Sequence, residues 1–434
     1  MEIPKAFKSY DIRGRYPQDV NEQFAEEIGK STGTLIRTKI VVGGDNNTST
    51  PKIKEALIKG ILSTGTDVID IGIGPTDMIA YAGMISKADA SIMVTASHLG
   101  IDYNGFKFMY PEGNSYTNED LAGIKDTYMT KKYIQSSVSG HLTHDTDIIH
   151  KYIDHAKNTF KKYFKKIDAK VIIDTGDGSC SITTPIILKQ LGAVVITINS
   201  SLDGSFRRHS DCSEERHISY LKDEIKRHKA DIAIAHDMDG DRLAVFDRDG
   251  NWISGNQLFG IFTHITAKKE DTIIASIDTS ELLEKSTQSG IIYTRVGDPF
   301  VLKALIDNNA KLAGEPNGHY ALKEFIPYNS GTFFALLIAA FGKLIPQFIS
   351  SMPAYKTATK KYPVTDQKTK MKEITSYIKA HHKIISTIDG IKYKDAGTII
   401  LIRPSGTEDA IRISVEDRHD AEKELKKIET YLKL

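Results

Sequence analysis

The chain has very little cysteine, Cys180 and Cys212 in 434 residues. Two thiols cannot build a disulfide framework and lack the spacing of a zinc site, so both are excluded and a reducing compartment is the expectation. An excess of charge of one sign is also missing, with 57 Lys and Arg against 56 Asp and Glu. A net charge of +1 provides no general field to grip a nucleic-acid backbone or an anionic membrane, so an anionic ligand has to be captured by local loops. Long apolar runs are absent as well. Phe333–Phe341, the longest, is about half of the roughly 20 residues that a spanning helix takes. Met1–Gly14 has no apolar segment of the secretory kind. These absences predict a soluble, cytoplasmic protein with neither nucleic acid nor membrane as partner.

What is present is an ordinary globular balance, 40% apolar and 26% charged, over a length that implies about two to four domains. Apolar bursts at Lys39–Val42, Asp67–Ile73 and Ala90–Val94 alternate with a helical stretch over Pro51–Ser63, the rhythm of a mostly parallel sheet. It recurs with Lys170–Ile173, Val194–Ile198 and Asp231–Ala235, and again with Thr272–Ile277, Ile291–Arg295 and Lys311–Ala313. From about Ser351 Lys-rich helical stretches flank an antiparallel-looking pair, Thr398–Ile402 and Ala410–Val415, and an amphipathic helix closes the chain. The reading is therefore α/β: three similar α/β domains with mixed, mostly parallel sheets over residues 1–142, 143–252 and 253–350, and a smaller α+β domain over 351–434.

Four loops follow apolar strands, where open α/β sheets place their ligands. His236-Asp237-Met238-Asp239-Gly240-Asp241-Arg242 carries three carboxylates at alternate positions. Anions that close repel unless a cation sits among them. An EF-hand would need Gly and Glu where Arg242 and Arg248 stand, whereas three carboxylates with open positions suit Mg²⁺. Thr95-Ala96-Ser97-His98 offers a hydroxyl at a strand end, suited to carrying phosphate or to forming a plain turn. His98, its chain neighbour, reads as poorly placed to be its base. Lys107 lies close enough downstream to return to Ser97 as an acid, a base or a phosphate clamp. Arg403-Pro404-Ser405-Gly406-Thr407-Glu408, with Arg412 downstream, has the guanidinium fork, hydroxyls and free backbone N–H groups of a phosphate cradle. Gly314-Glu315-Pro316-Asn317-Gly318-His319 offers partners for sugar hydroxyls and an imidazole able to move a proton near neutral pH. Two glycine motifs are decoys: Gly29-Lys30-Ser31 lacks the first P-loop glycine, and after Gly72-Ile73-Gly74 the third dinucleotide glycine is replaced by Asp77.

In this order and spacing, across nearly the whole chain, the four loops resemble those of the α-D-phosphohexomutase family, in particular its phosphomannomutase/phosphoglucomutase branch. The resemblance implies four domains around one central cleft, each contributing a loop. It implies that Ser97 is the phosphoserine, that Asp237, Asp239 and Asp241 hold Mg²⁺ together with phosphorylated Ser97, and that Arg242 stands beside the transferring phosphate. Glu315, Asn317 and His319 fall on the sugar-recognition loop, and Arg403, Ser405, Gly406, Thr407 and Arg412 on the loop for the phosphate that is not transferred. Tyr10 and Arg13 match the opening signature of the branch, Arg13 as a catalytic group, and Gly297 matches a substrate-contacting loop of the third domain. The implied reaction converts hexose 1-phosphate and hexose 6-phosphate through a hexose 1,6-bisphosphate, which also serves as activator, with Lys107 or His319 passing the proton. Phosphoglucosamine mutase is the alternative within the class, and a sugar-phosphate-binding protein impaired in turnover the alternative outside it. Departures stand at Leu99-Gly100, where the family has Asn-Pro, at Asn47, where it has arginine, and at Asp409, where it has proline.

Overall fold

Short β-branched runs alternating with helices close into three mixed sheets, and a fourth, antiparallel sheet follows them. The computed structural model describes residues 4–8, 10–405 and 409–432. In the first sheet Ala90–Val94, Lys39–Gly44, Asp67–Ile73 and Leu142–His144 run parallel. Tyr103–Met109 and Ile12–Arg15 add to it antiparallel. The second sheet sets Ile232–His236 and Val194–Ile198 parallel on either side of Lys170–Asp174, then adds Leu243–Asp247 and Trp252–Ile253 antiparallel. The third places Thr272–Ser276 between parallel Gly290–Thr294 and Leu312–Gly314, with Tyr320–Leu322 antiparallel at its edge.

The fourth sheet differs from the sequence expectation at Lys356–Pro363, where a Lys-rich helical stretch was expected and an edge strand stands. Ala358 and Tyr362, on one face of the strand, are buried, and its lysines face water. Lysines on an exposed edge discourage pairing with another chain. The helix Gln367–His381 follows it.

Burial explains why the first three units act as one block. A single apolar cluster takes in Ile79 and Met93 of the first, Tyr152 and Phe160 of the second, and Phe325, Phe333 and Phe334 of the third. The C-terminal unit has its own cluster, built on Tyr362, Ile378, Tyr393, Ile402, Ile413 and Leu425. Polar contacts attach it to the third unit. The buried ammonium of Lys392 donates to the carbonyls of Ile277 (2.8 Å) and Thr279 (3.2 Å), and Lys394 pairs with Glu281 at 2.9 Å. The helical run Gly331–Ser351, at 21 residues, is longer than the apolar burst at Phe333–Phe341 suggests and is apolar enough to cross a membrane. Its first half, Gly331–Phe341, is buried in the shared core instead.

Asp77, the residue in the place of the missing dinucleotide glycine, lies fully buried where the three units meet. It opens the helix Thr76–Ser86 of the first unit. Its Oδ2 accepts from the Tyr152 hydroxyl of the second at 2.6 Å and from the Ser330 hydroxyl of the third. Burial pushes its carboxyl up to about 7, aided by the charge of Asp241 and opposed by the two hydroxyls. A folded value raised above the unfolded one favours the protonated acid, so its contribution is complete below the unfolded value of 3.8 and is lost as pH rises through about 7. Asp77→Asn keeps a neutral acceptor for both hydroxyls. Relative to this variant the wild type should lose up to about 1.4 kcal/mol per pH unit across that window, a divergence that urea midpoints at pH 5 and pH 8 would reveal.

Candidate active site

The carboxylate loop leaves the buried strand Ile232–His236 and returns along Leu243–Asp247, with His236 opposite Leu243. Gly240 makes this reversal possible: its φ is +74°, and a Cβ there would stand 2.2 Å from Cys180 Sγ. Three carbonyls of the loop are each held by a different unit. Ser179 N–H donates to Met238 O (2.9 Å), Thr76 N–H to Asp239 O (3.0 Å) and Gly331 N–H to Gly240 O (3.0 Å).

Asp237, Asp239 and Asp241 are all fully buried, with ligand oxygens within 4.8 Å of one another. Burial, then the charges of Asp241 and Asp239, push the Asp237 carboxyl far above its usual range. Asp241 is held well below it, because Lys107 and His319 outweigh burial. Asp237 Oδ2 and Asp239 Oδ1 are buried without a hydrogen-bond partner. Three buried carboxylates that offer oxygens within 4.8 Å of one another, two of them carrying an oxygen with no hydrogen-bond partner, are a donor set for a small, hard cation, so the residues fit Mg²⁺.

Lys107 comes in on the strand Tyr103–Met109. Its Nζ donates to Asp239 Oδ2 at 2.7 Å, to Asp241 Oδ2 and, at 3.3 Å, to Ser97 Oγ. Burial works against the charge, but the two aspartates keep it an ammonium well above its ordinary range. Ser97, 2% exposed, follows the strand Ala90–Val94 with φ +57°, a left-handed backbone for a residue with a side chain. Its N–H donates to Thr95 Oγ1 at 2.9 Å. This turn corrects the expectation for His98, whose Nδ1 comes within 3.4 Å of Ser97 Oγ despite being its chain neighbour. The charge of Arg242 and burial lower the His98 imidazole to about 3, leaving it uncharged.

Arg242 reaches 3.4 Å from Asp211 Oδ1 and 2.9 Å from His319 Nε2, and its N–H donates to Asp237 Oδ1 at 3.1 Å. Arg13 pairs with Asp11, and the charges of Asp239 and Arg242 both act on it. His319 differs from the sequence expectation of a proton carrier near neutral pH. Its Nδ1 lies 2.9 Å from Asp298 and its Nε2 3.1 Å from Asp241. Arg242 Nε also points at Nε2, but two carboxylates against one guanidinium favour the charged ring. His319 is held far above its usual value by Asp298 and Asp241, against burial. Asp211 and Asp298 carried no signal in the sequence, since neither belongs to a cluster of like residues.

Glu315 Oε1 accepts from Gly297 N–H at 2.8 Å, which ties the Gly297 and Glu315 loops together, and burial lifts its carboxyl to about 7. Tyr10 packs edge-on against Phe300 at 6.2 Å and lies beside Gly297. Asn317 is exposed and accepts from His319 N–H at 3.2 Å. On the C-terminal sheet Arg403 stands directly opposite Arg412, and Ser405 N–H donates to Ala410 O at 2.8 Å. Like charges opposite one another destabilise a strand pair, so this face favours an anion. Gly406 and Thr407 lie outside the described residues. Arg403 is 3.6 Å from Asp389, which also faces Arg295 of the third unit at 3.6 Å.

Two of the departures have structural roles. Asn47, buried, donates to the carbonyls of Ile101 (3.1 Å) and Tyr103 (3.2 Å), and Leu99 packs against Ala96, Phe206 and Met238.

Family models described as phosphoglucomutase/phosphomannomutase alpha/beta/alpha domains I, II and III match residues 4–135, 150–250 and 254–350, and the C-terminal domain model matches 360–430. The chain is 31% identical to a "Phosphoglucomutase/phosphomannomutase" of Thermococcus kodakarensis, covering 99% of this chain and 98% of that protein. It is 32% identical to a "Probable phosphoglucosamine mutase" of the same organism, over 96% and 95%. In fold it is similar to the crystal structure of a phosphoglucomutase/phosphomannomutase family protein from Burkholderia thailandensis, with a TM-score of 0.88 at 22% identity over 100% and 98% of the two chains.

Gly331 presses on the carboxylate loop from the third unit, and a Cβ there would lie 2.4 Å from Arg242 O and 2.7 Å from Gly240 O. Backbone oxygens cannot yield as a flexible side chain would, so Gly331→Ala should lower the unfolding free energy by about 1–3 kcal/mol, read as a fall in the urea midpoint.

Proposed function

The chain belongs to the phosphoglucomutase/phosphomannomutase family, whose members are isomerases, and from that premise we propose that it interconverts hexose 1-phosphates and hexose 6-phosphates of mannose, glucose or both. One observation carries this reading: the Ser97 hydroxyl, the Lys107 ammonium and the three aspartates share one buried cluster. Asp237, Asp239 and Asp241 would hold Mg²⁺, which supplies positive charge to phosphoryl oxygens.

The other steps fall to the chain's own groups. Phosphorylated Ser97 gives its phosphoryl group to the free hydroxyl of a hexose 1-phosphate: the bond from phosphorus to Ser97 Oγ breaks, one to the sugar oxygen forms, and the proton lost by the sugar hydroxyl is balanced by the one that Ser97 Oγ takes up as it becomes a free hydroxyl. Lys107, 3.3 Å from Ser97 Oγ, stabilises that oxygen as it is released, and Arg242 compensates the charge spread over the phosphoryl group. The hexose 1,6-bisphosphate then turns over so that Ser97 recovers the other phosphate, with uncharged His98 at 3.4 Å able to take the hydroxyl proton. The Arg403 and Arg412 pair holds the idle phosphate, and guanidinium groups read phosphate without reading the sugar, so either end of the bisphosphate fits. Glu315, Tyr10 and Gly297 line the sugar side. A second reading, phosphoglucosamine mutase, is favoured by the 32% identical relative that carries that name.

A mutase assay with Mg²⁺ and a hexose 1,6-bisphosphate, offering mannose, glucose and glucosamine 1-phosphates in parallel, separates these readings. Turnover of the first two is expected, abolished in Ser97→Ala and reduced about 10²–10³-fold in Lys107→Ala. Preferential turnover of glucosamine 1-phosphate would instead support the second reading. No turnover of any sugar by protein phosphorylated on Ser97 would identify a binding protein impaired in catalysis.

A further inference from the structure

Thr76 opens the helix Thr76–Ser86 of the first unit and is fully buried, so its polar groups have no water to turn to. Its N–H and its hydroxyl are both directed at one residue 163 positions away. Its N–H donates to Asp239 O at 3.0 Å, and its hydroxyl donates to Asp239 Oδ2 at 2.9 Å. Lys107 Nζ takes the same oxygen at 2.7 Å. Both donors to Oδ2 therefore come from the first unit, while Oδ1 of the same carboxylate is buried and has no hydrogen-bond partner. A carboxylate saturated on one oxygen and bare on the other is held in rotation, with the bare oxygen left open to a further ligand.

The position of Thr76 is itself set from outside its helix. Asp77, the next residue, is bonded by the hydroxyls of Tyr152 and Ser330. Ser330 also caps its own helix, accepting from Phe333 N–H at 2.9 Å, and the adjacent Gly331 holds Gly240 O of the carboxylate loop. The three units thus converge on the back of that loop, and Thr76, beside Lys107, touches the Asp239 carboxylate itself.

We propose that Thr76 is a positioning residue for the cation site, holding the Asp239 carboxylate so that its unpartnered Oδ1 would be available to a metal ion. This rests on the reading that the Asp237, Asp239 and Asp241 loop binds Mg²⁺. Groups that orient a metal ligand commonly govern about 10–100-fold in metal affinity. Removal of the Thr76 hydroxyl leaves Asp239 Oδ2 with Lys107 alone and frees the carboxylate to rotate.

Binding of Mg²⁺ measured by calorimetry, with Mn²⁺ binding followed by electron paramagnetic resonance, tests this without recourse to turnover. Wild type should bind a cation and Asp239→Asn should not. Thr76→Val, nearly the same shape without the hydroxyl, should weaken binding about 10–100-fold, and Thr76→Ser should restore it. In turnover at saturating Mg²⁺ the KM for the sugar phosphate should be the same in all Thr76 variants, which general misfolding would not leave intact. Should Thr76→Val not fold, Thr76→Ala makes the same comparison. Wild-type affinity in Thr76→Val, or equal weakening in Thr76→Ser, would overturn the positioning role while leaving the metal site standing. Equal cation binding by wild type and Asp239→Asn would instead remove the metal reading, and the inference with it.

Discussion

Three carboxylates buried within 4.8 Å of one another are the constraint around which this molecule is arranged. Ionised anions in that space repel strongly, and their desolvation adds to the cost. Every group near them answers this. Lys107 reaches across from the first sheet, Arg242 folds back from the end of the loop, and His319 is kept charged between Asp298 and Asp241. The backbone of the loop is gripped by three separate units, so the carboxylates cannot relax apart. The negative charge that remains uncompensated is what favours a cation among them.

The two kinds of interface in the molecule divide its labour. The first three units share one apolar core, which holds the Ser97 loop, the carboxylate loop and the Glu315 loop in fixed relation. The C-terminal unit keeps a core of its own and meets the third through Lys392, Lys394 and Asp389. An interface built on ammonium–carbonyl and ion-pair contacts permits relative motion more readily than a shared apolar core does. The arginine pair thus sits on the unit attached by polar contacts, while Ser97 and the three aspartates sit in the units joined by the shared apolar core.

The legible part of the sequence was that in which the chemistry is local. Asp237, Asp239 and Asp241 announce themselves by alternate spacing after a strand, and the βα rhythm marked Asp67–Ile73, Ala90–Val94 and Val194–Ile198 with the bounds observed. Residues whose role comes from a distant neighbour left no trace. Asp298 acquires its meaning from His319, Asp211 from Arg242, and Thr76 from Asp239. His98 was misjudged because adjacency along the chain was taken to mean divergence in space, which the left-handed turn at Ser97 reverses. Lys356–Pro363 reads as a solvated helix because its lysines are dense and its two buried positions, Ala358 and Tyr362, are four apart, a spacing that helix and strand share; its pairing with Ala410–Asp417 decides for the strand.

That left-handed turn also bears on which hydroxyl residue position 97 can hold. At φ +57° the side chain is crowded by its own backbone, and a branch at Cβ adds to the crowding. Threonine would offer the same hydroxyl chemistry, yet its extra methyl opposes the one backbone shape that brings Oγ to both Lys107 and His98. The hydroxyl at this position is therefore restricted to serine by the backbone, before any demand of the reaction is considered.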